Sequence, residues 1–222
     1  MAPPRRSLAE GGSGATGGLG SRLRRERLQQ EIGLRELARR IGVSASLISQ
    51  IESGKSEPSV STLSAIVTEL DLSLNEIVFD ETARSASRRR RDEQAEELLQ
   101  PLAVRVQKAS VRRSIHLSSD VTWERLTADP DPEVDFLYVT YAVGGASSDR
   151  LMRHAGREYG YVIAGQLRVS IGFDDFDLGP GDSIAFDSTA PHRLVNIGEE
   201  PVLGIWTVVG RGTGARRSAE PA

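Results

Sequence analysis

Residues 34–59, Leu-Arg-Glu-Leu-Ala-Arg-Arg-Ile-Gly-Val-Ser-Ala-Ser-Leu-Ile-Ser-Gln-Ile-Glu-Ser-Gly-Lys-Ser-Glu-Pro-Ser, decide the fold of the first part of this chain. Leu34, Leu37, Ala38 and Ile41 recur at helical spacing, and Val43, Leu47, Ile48 and Ile51 repeat it. Gly42 stands between the two sets, where a chain leaving one helix needs a left-handed residue. Ser44 then occupies an N-cap position, and Ala38 is small enough for two helices to cross closely. Two short helices around such a turn place the start of the second in a DNA major groove.

The flanks extend the pattern. Ser21–Gln30 forms a first helix with Leu23 and Leu28 for the core, and Gly33 caps the second helix. Ser59 caps a fourth helix bearing Val60, Leu63, Ile66, Val67 and Leu70, and Ser73 a short fifth one ending near Phe79. From Arg24 to about Phe79 the sequence resembles the phage-repressor-like helix-turn-helix domain of the XRE family. Ser49-Gln-Ile-Glu-Ser-Gly-Lys55 and Glu57-Pro-Ser59 carry that resemblance.

With 222 residues, the chain has room for two cores. It contains no Cys, which excludes disulfides and thiolate metal sites. No apolar run reaches membrane-spanning length, and Met1-Ala-Pro-Pro-Arg-Arg lacks the apolar stretch of a signal peptide. A cytoplasmic location without membrane contact is expected. Net charge is −3, but its distribution is uneven. Residues 20–55 carry eight Lys/Arg against four acids, 81–118 nine against five, and 119–222 nine against sixteen. Local charge governs phosphate attraction, so the basic helices and connector suit DNA despite the acidic sum.

The expected organisation is a disordered arm at 1–19, with six Gly in residues 11–20, and a DNA-binding domain at 20–80. A charged linker or helix follows at 81–109, then a second domain at 110–210 and a tail at 211–222. The Arg88–Arg91 run within the linker is open between a solvated stretch and extra phosphate contact.

From Val111 the hydrophobic period becomes two. Strands are expected at Val111–Leu117, Val121–Leu126, Val134–Val143 and Glu158–Ala164. Four more are expected at Gln166–Ile171, Ser183–Phe186, His192–Asn196 and Val202–Val209, with turns such as Asp174-Asp175 between them. Many short strands with such turns indicate a β-sandwich or barrel. His154-Ala-Gly-Arg-Glu158 with Gly165, and Pro180-Gly-Asp182 through Pro191-His192 to Asn196, resemble the two motifs of the cupin superfamily. The implied fold class is therefore an α + β two-domain protein. It pairs a five-helix repressor-like domain with a C-terminal jelly-roll β-barrel.

The cupin resemblance implies a site at His154, Glu158 and His192, for a small-molecule effector and for a divalent metal such as Fe, Zn, Mn or Ni. The family's further His is Met152 here, a thioether and a poor ligand for a hard ion. Two imidazoles and a carboxylate still form the set that caps one face of non-haem Fe(II). Tyr138, Phe186 and Trp206 are candidate walls, Arg153, Tyr159 and Arg193 lie beside the motif positions, and His116 has no motif role.

The two resemblances together match a family of bacterial transcriptional regulators, non-enzymes whose barrel binds an effector and dimerises. They imply a double-stranded DNA operator and a homodimer. Ser44, Ala45, Ser46, Ser49 and Gln50 fall at or beside groove-facing positions. Gln50 is suited to a bidentate contact with adenine and Ser to any base edge, while Ala45 offers only a methyl contact to thymine. Arg39, Arg40 and Lys55 are the phosphate contacts. The alternative is a non-haem iron oxygenase, since the fosfomycin-pathway epoxidase also resembles such a fusion and holds iron with two His and one Glu.

Overall fold

The structure is a computed structural model and describes residues 18–72, 74, 77, 105–131 and 133–211. The Arg88–Arg91 run, Ser73, Phe79 and most of the expected arm and tail lie outside the described residues.

Helix α1 spans Leu19–Gln29, beginning earlier than Ser21, and buries Gly20, Leu23, Glu26 and Arg27. Leu28, expected in the core, points to solvent at 54% exposure because α1 turns the Leu23–Arg27 face inward. Helix α2 spans Leu34–Ile41, starts at Gly33 and stops at Gly42, whose φ of 73° is left-handed. Helix α3 spans Ala45–Glu52, and Ser44 Oγ accepts from Leu47 N over 3.1 Å. Helix α4 spans Val60–Glu69, with Ser59 Oγ accepting from Thr62 N over 3.2 Å. Leu37, Ala38, Ile48 and Ile51 are almost fully buried together with Leu63, Ile66, Val67 and Leu70.

Four helices, not five, are delimited among the described residues. Of the fifth, Leu74 and Ile77 are described, both helical in backbone and buried. Their apolar side chains join the core of the other four helices.

Among the described residues, the second half begins with a 3-10 turn at Ala109–Val111 and contains nine strands. They are β1 Ser114–Leu117, β2 Val121–Arg125, β3 Val134–Tyr141, β4 Arg157–Ala164 and β5 Leu167–Ile171. The others are β6 Asp174–Leu178, β7 Ser183–Asp187, β8 His192–Asn196 and β9 Val202–Val209. A six-stranded sheet has the order β1-β2-β3-β9-β4-β7, and a three-stranded sheet the order β6-β5-β8. The pairings within both sheets are antiparallel.

The expected jelly-roll barrel is not closed: its strands form two separate sheets. The long segment between β3 and β4 pairs with β8 through the isolated bridges Ala146↔Val195 and Met152↔His192 rather than through a continuous ladder. Alternation on β2, β3 and β9 turns Trp123, Leu137, Val139, Trp206 and Val208 into the space between the sheets. Asn196 of the second motif is structural: its Nδ2 donates to the carbonyls of Tyr141, Ala142 and Glu200.

The start of α4 rests on the strand domain. Ser61 N donates to Ser147 O over 3.2 Å, and Ser118 N donates to Pro58 O over 3.1 Å.

Candidate functional site

The DNA-facing candidates lie on α2, on α3 and its N-cap, and in the turn after α3. Arg39, Arg40, Ser44, Ser46, Ser49, Gln50 and Lys55 are exposed, and Ala45 is partly buried. Ser44 is committed to its capping bond. Arg39 donates to Glu36 through Nε at 2.9 Å and Nη2 at 2.7 Å, and Arg40 through Nε at 2.8 Å. Arg40 Nη1 also donates to Glu69 over 2.9 Å. Hydrogen bonding from Arg39 and Arg40 holds the Glu36 carboxyl down at about 2. Both guanidiniums therefore have acidic partners that phosphates would have to replace.

A second cluster is buried between the sheets. Glu158 projects inward from β4, His192 opens β8, and His154 precedes β4, fixed by its N–H donating to Ser188 O over 3.0 Å. Met152 and His192 exchange two backbone bonds of 2.8 Å, so the Met152 and His192 segments are locked side by side. Glu158 Oε1 lies 2.9 Å from His154 Nε2 and 3.2 Å from His192 Nε2, with every side chain at most 5% exposed. Trp206 Nε1 donates to the other oxygen, Glu158 Oε2, over 2.6 Å. That indole lies over Gly160, where a Cβ would stand only 2.1 Å from the ring.

The tautomers follow from the outer bonds. His154 Nδ1 lies 2.9 Å from Ala155 O, and His192 Nδ1 lies 2.9 Å from Ala190 O. A carbonyl only accepts, so each Nδ1 carries the proton and each Nε2 of a neutral ring presents a lone pair. Arg211 Nη2 is 3.4 Å from His154 Nε2, the geometry of a donor meeting that lone pair. Glu158 Oε1 is buried without a hydrogen-bond donor despite its two close nitrogens. Three acceptors facing one another require a positive centre among them, either an imidazolium proton or a cation. Two imidazoles oriented by backbone carbonyls, plus one carboxylate, fit Fe, Zn, Mn or Ni.

Electrostatics separate the members. Burial and the nearby Arg211 push His154 down, outweighing Glu158. Burial would also lower His192, but the Glu158 carboxylate, 3.2 Å from its Nε2, favours the charged ring and raises it. Burial opposes the charged form of Glu158, yet the two imidazoles hold it well below the usual carboxylate range.

The triad faces a cavity of about 30 Å³, walled by Trp123, Leu137, Val139, Tyr141, Met152 and Trp206, and reached by Val60 and Arg211. Of the candidate walls, Trp206 lines it, while Phe186 packs its ring 5.1 Å from His192 and Tyr138 is not among its lining residues. Arg153 and Tyr159 are exposed, and Arg193 Nε donates to Ser148 O. His116 is exposed and pairs with Thr122 over 2.9 Å. Sequence reasoning missed Arg211, placed at the start of the tail, along with Asp135 and Ser64. Arg211 Nε is 3.4 Å from Asp135 Oδ2, and Arg211 Nη1 donates to Ser64 Oγ over 3.1 Å. Only an Arg just past the last apolar alternation hinted at it.

Comparison with known proteins gives two family matches, "Helix-turn-helix" over residues 23–77 and "Cupin domain" over 137–208. The chain is 28% identical over 178 residues to the HTH-type transcriptional regulator PuuR of Escherichia coli K12, covering 80% of this chain and 86% of that protein. It is 40% identical over 72 residues to the transcriptional regulator ClgR of Mycobacterium tuberculosis, which is 32% of this chain and 64% of that one. A solved HTH_3 family transcriptional regulator from Vibrio cholerae shares the fold, with a TM-score of 0.59 at 20% identity, over 86% of this chain and 94% of that chain.

Proposed function

Because this chain joins a helix-turn-helix domain to a cupin domain, the architecture of a family of transcriptional regulators, we propose that it is a sequence-specific regulator of transcription controlled through its cupin site. The observation that carries this reading is the exposed row Ser46, Ser49 and Gln50 on a properly capped α3, flanked by Arg39, Arg40 and Lys55. The three α3 side chains are the base-edge readers and the three cations position the backbone. His154, Glu158 and His192 form the sensing site and hold a divalent cation. Such an ion supplies a positive centre for anionic or lone-pair groups.

Two copies pair through their strand domains and set their α3 helices about 34 Å apart on the two half-sites. The outer face of the six-stranded sheet supports this pairing. Phe136, Thr207 and Tyr159 lie in one cross-strand row there, and Tyr159, Tyr161 and Ile163 are more than 40% exposed. The oxygenase alternative uses the same triad, but the cavity of about 30 Å³ leaves no space for an organic substrate beside it.

The test is to select genomic fragments with the purified protein at moderate salt, using the R39A/R40A/Q50A variant as control. A shared inverted repeat, lost in the variant, is the expected result. Fragments without a common sequence would overturn the proposal.

A further inference from the structure

The DNA-binding domain contributes to the wall of the cavity beside the triad. Val60, the first residue of α4, lines it, and the adjoining bonds from Ser61 to Ser147 and from Ser118 to Pro58 seat that end of α4. At about 30 Å³ the space accommodates one or two water molecules, or an ion and its water. Ligand cavities for organic molecules are roughly ten times larger. With this arrangement of domains, the species that fits is a cation.

Arg211 is placed to report such an ion. Its side chain is only 10% exposed, and its guanidinium reaches His154 Nε2 at 3.4 Å, Asp135 Oδ2 at 3.4 Å and Ser64 Oγ at 3.1 Å. Ser64 lies on the buried side of α4, so this one group links the triad to the DNA-binding domain. His154 Nε2 has a single lone pair. It accepts from Arg211 or it ligates a metal, but not both. A divalent ion held there also repels the guanidinium.

We infer that the divalent cation is itself the signal, and that Arg211 relays it by losing His154 to the metal and with it the hold on Ser64 that keeps α4 over the cavity. This rests on the regulator reading above and names its effector. The linkage is reciprocal: whatever factor the cation changes in DNA affinity, DNA changes in cation affinity.

Zn²⁺ and the full chain provide the test. The two Trp residues of the sequence, Trp123 and Trp206, both line this cavity, so acrylamide quenching of their emission reads its opening directly. Zn²⁺ is a d¹⁰ ion without redox chemistry. The expected result is one Zn²⁺ per chain, absent in H192A, and a rise in quenching of about twofold or more on loading, with a population shift set by differential affinity. R211A should bind Zn²⁺ more tightly and be strongly quenched with or without it. S64A keeps the triad and Arg211, and should bind Zn²⁺ with quenching already raised before loading.

Binding of Zn²⁺ with unchanged quenching in the wild type would overturn the inference, as would Zn²⁺ binding that survives H192A. On the selected DNA, Zn²⁺ should change affinity by about fivefold or more, within the usual range of coupling. Selective DNA binding indifferent to Zn²⁺ would overturn the inference and leave the regulator intact. Absence of any selective fragment would overturn the regulator reading, while the quenching results still decide the Arg211 relay.

Discussion

Trp206 Nε1 donates to Glu158 Oε2 over 2.6 Å, and that bond determines which oxygen of the carboxylate faces His154 and His192. The indole is fixed in turn by its fit over Gly160. W206F keeps most of the ring and removes the donor. Partners that orient ligand groups are worth about 10- to 100-fold in metal affinity, so Zn²⁺ binding measured by chelator competition should weaken by that much. Equal affinity would mean that Glu158 orients itself.

Met152 stands on the cavity wall beside His192, where the cupin pattern has a further His. M152H adds an imidazole to a site whose other donors are already in place. Zn²⁺ affinity should rise by about tenfold or more, with a changed Co²⁺ absorption spectrum as the number of nitrogen ligands increases. A spectrum identical to the wild type would show that position 152 does not reach the ion.

The sequence was most legible where periodicity and capping agree. Ser44, Gly42 and the spacing from Leu37 to Ile51 marked α2 and α3 correctly, because short-range backbone chemistry decides them. His154, Glu158 and His192 were legible as a motif and come together in the fold. The strand β6 was not: Asp174-Asp-Phe-Asp-Leu178 lies almost wholly exposed at a sheet edge and has no inward alternation. Arg168 bonds Asp177, and Ser170 bonds Asp175, so its pairing depends on partners outside the segment. Gly20 was counted only as the last of the Gly-rich stretch 11–20, at the start of the DNA-binding domain, yet it packs α1 on α3, where a Cβ would stand 2.0 Å from Ile51 O. Arg211 was hidden for a similar reason, since its contacts at Ser64, Asp135 and His154 are all distant in sequence.

Arg27 donates to Glu52 over 2.6 and 2.8 Å, and to Ile32 O over 2.7 Å, with both charged side chains only 6% exposed. This pair fastens α1 to the end of α3. R27A leaves Glu52 buried without that partner and should cost about 3–5 kcal/mol in urea unfolding of the helical domain. The double variant R27M/E52L replaces both charges with apolar groups and should recover most of the loss. A single-variant cost below about 1 kcal/mol would show that water reaches Glu52 easily.

Glu36 tests whether α2 meets the DNA backbone. Its carboxylate accepts from both Arg39 and Arg40, and it is held down at about 2, so it stays charged throughout the range used for binding assays. These exposed pairs contribute little to stability, so phosphates displace Glu36 at small cost. The negative charge nevertheless remains beside the phosphates and offsets part of the attraction. E36Q removes the charge and keeps the shape. Non-specific duplex affinity at low salt should rise, and the slope of log K against log salt should steepen by about 1. Selectivity for the operator should fall, because the added attraction acts through phosphates, which carry no sequence information. Anisotropy titrations across a salt series measure all three effects. Identical slopes for wild type and E36Q would show that Arg39 and Arg40 do not contact phosphates, leaving α3 and Lys55 to position the domain alone.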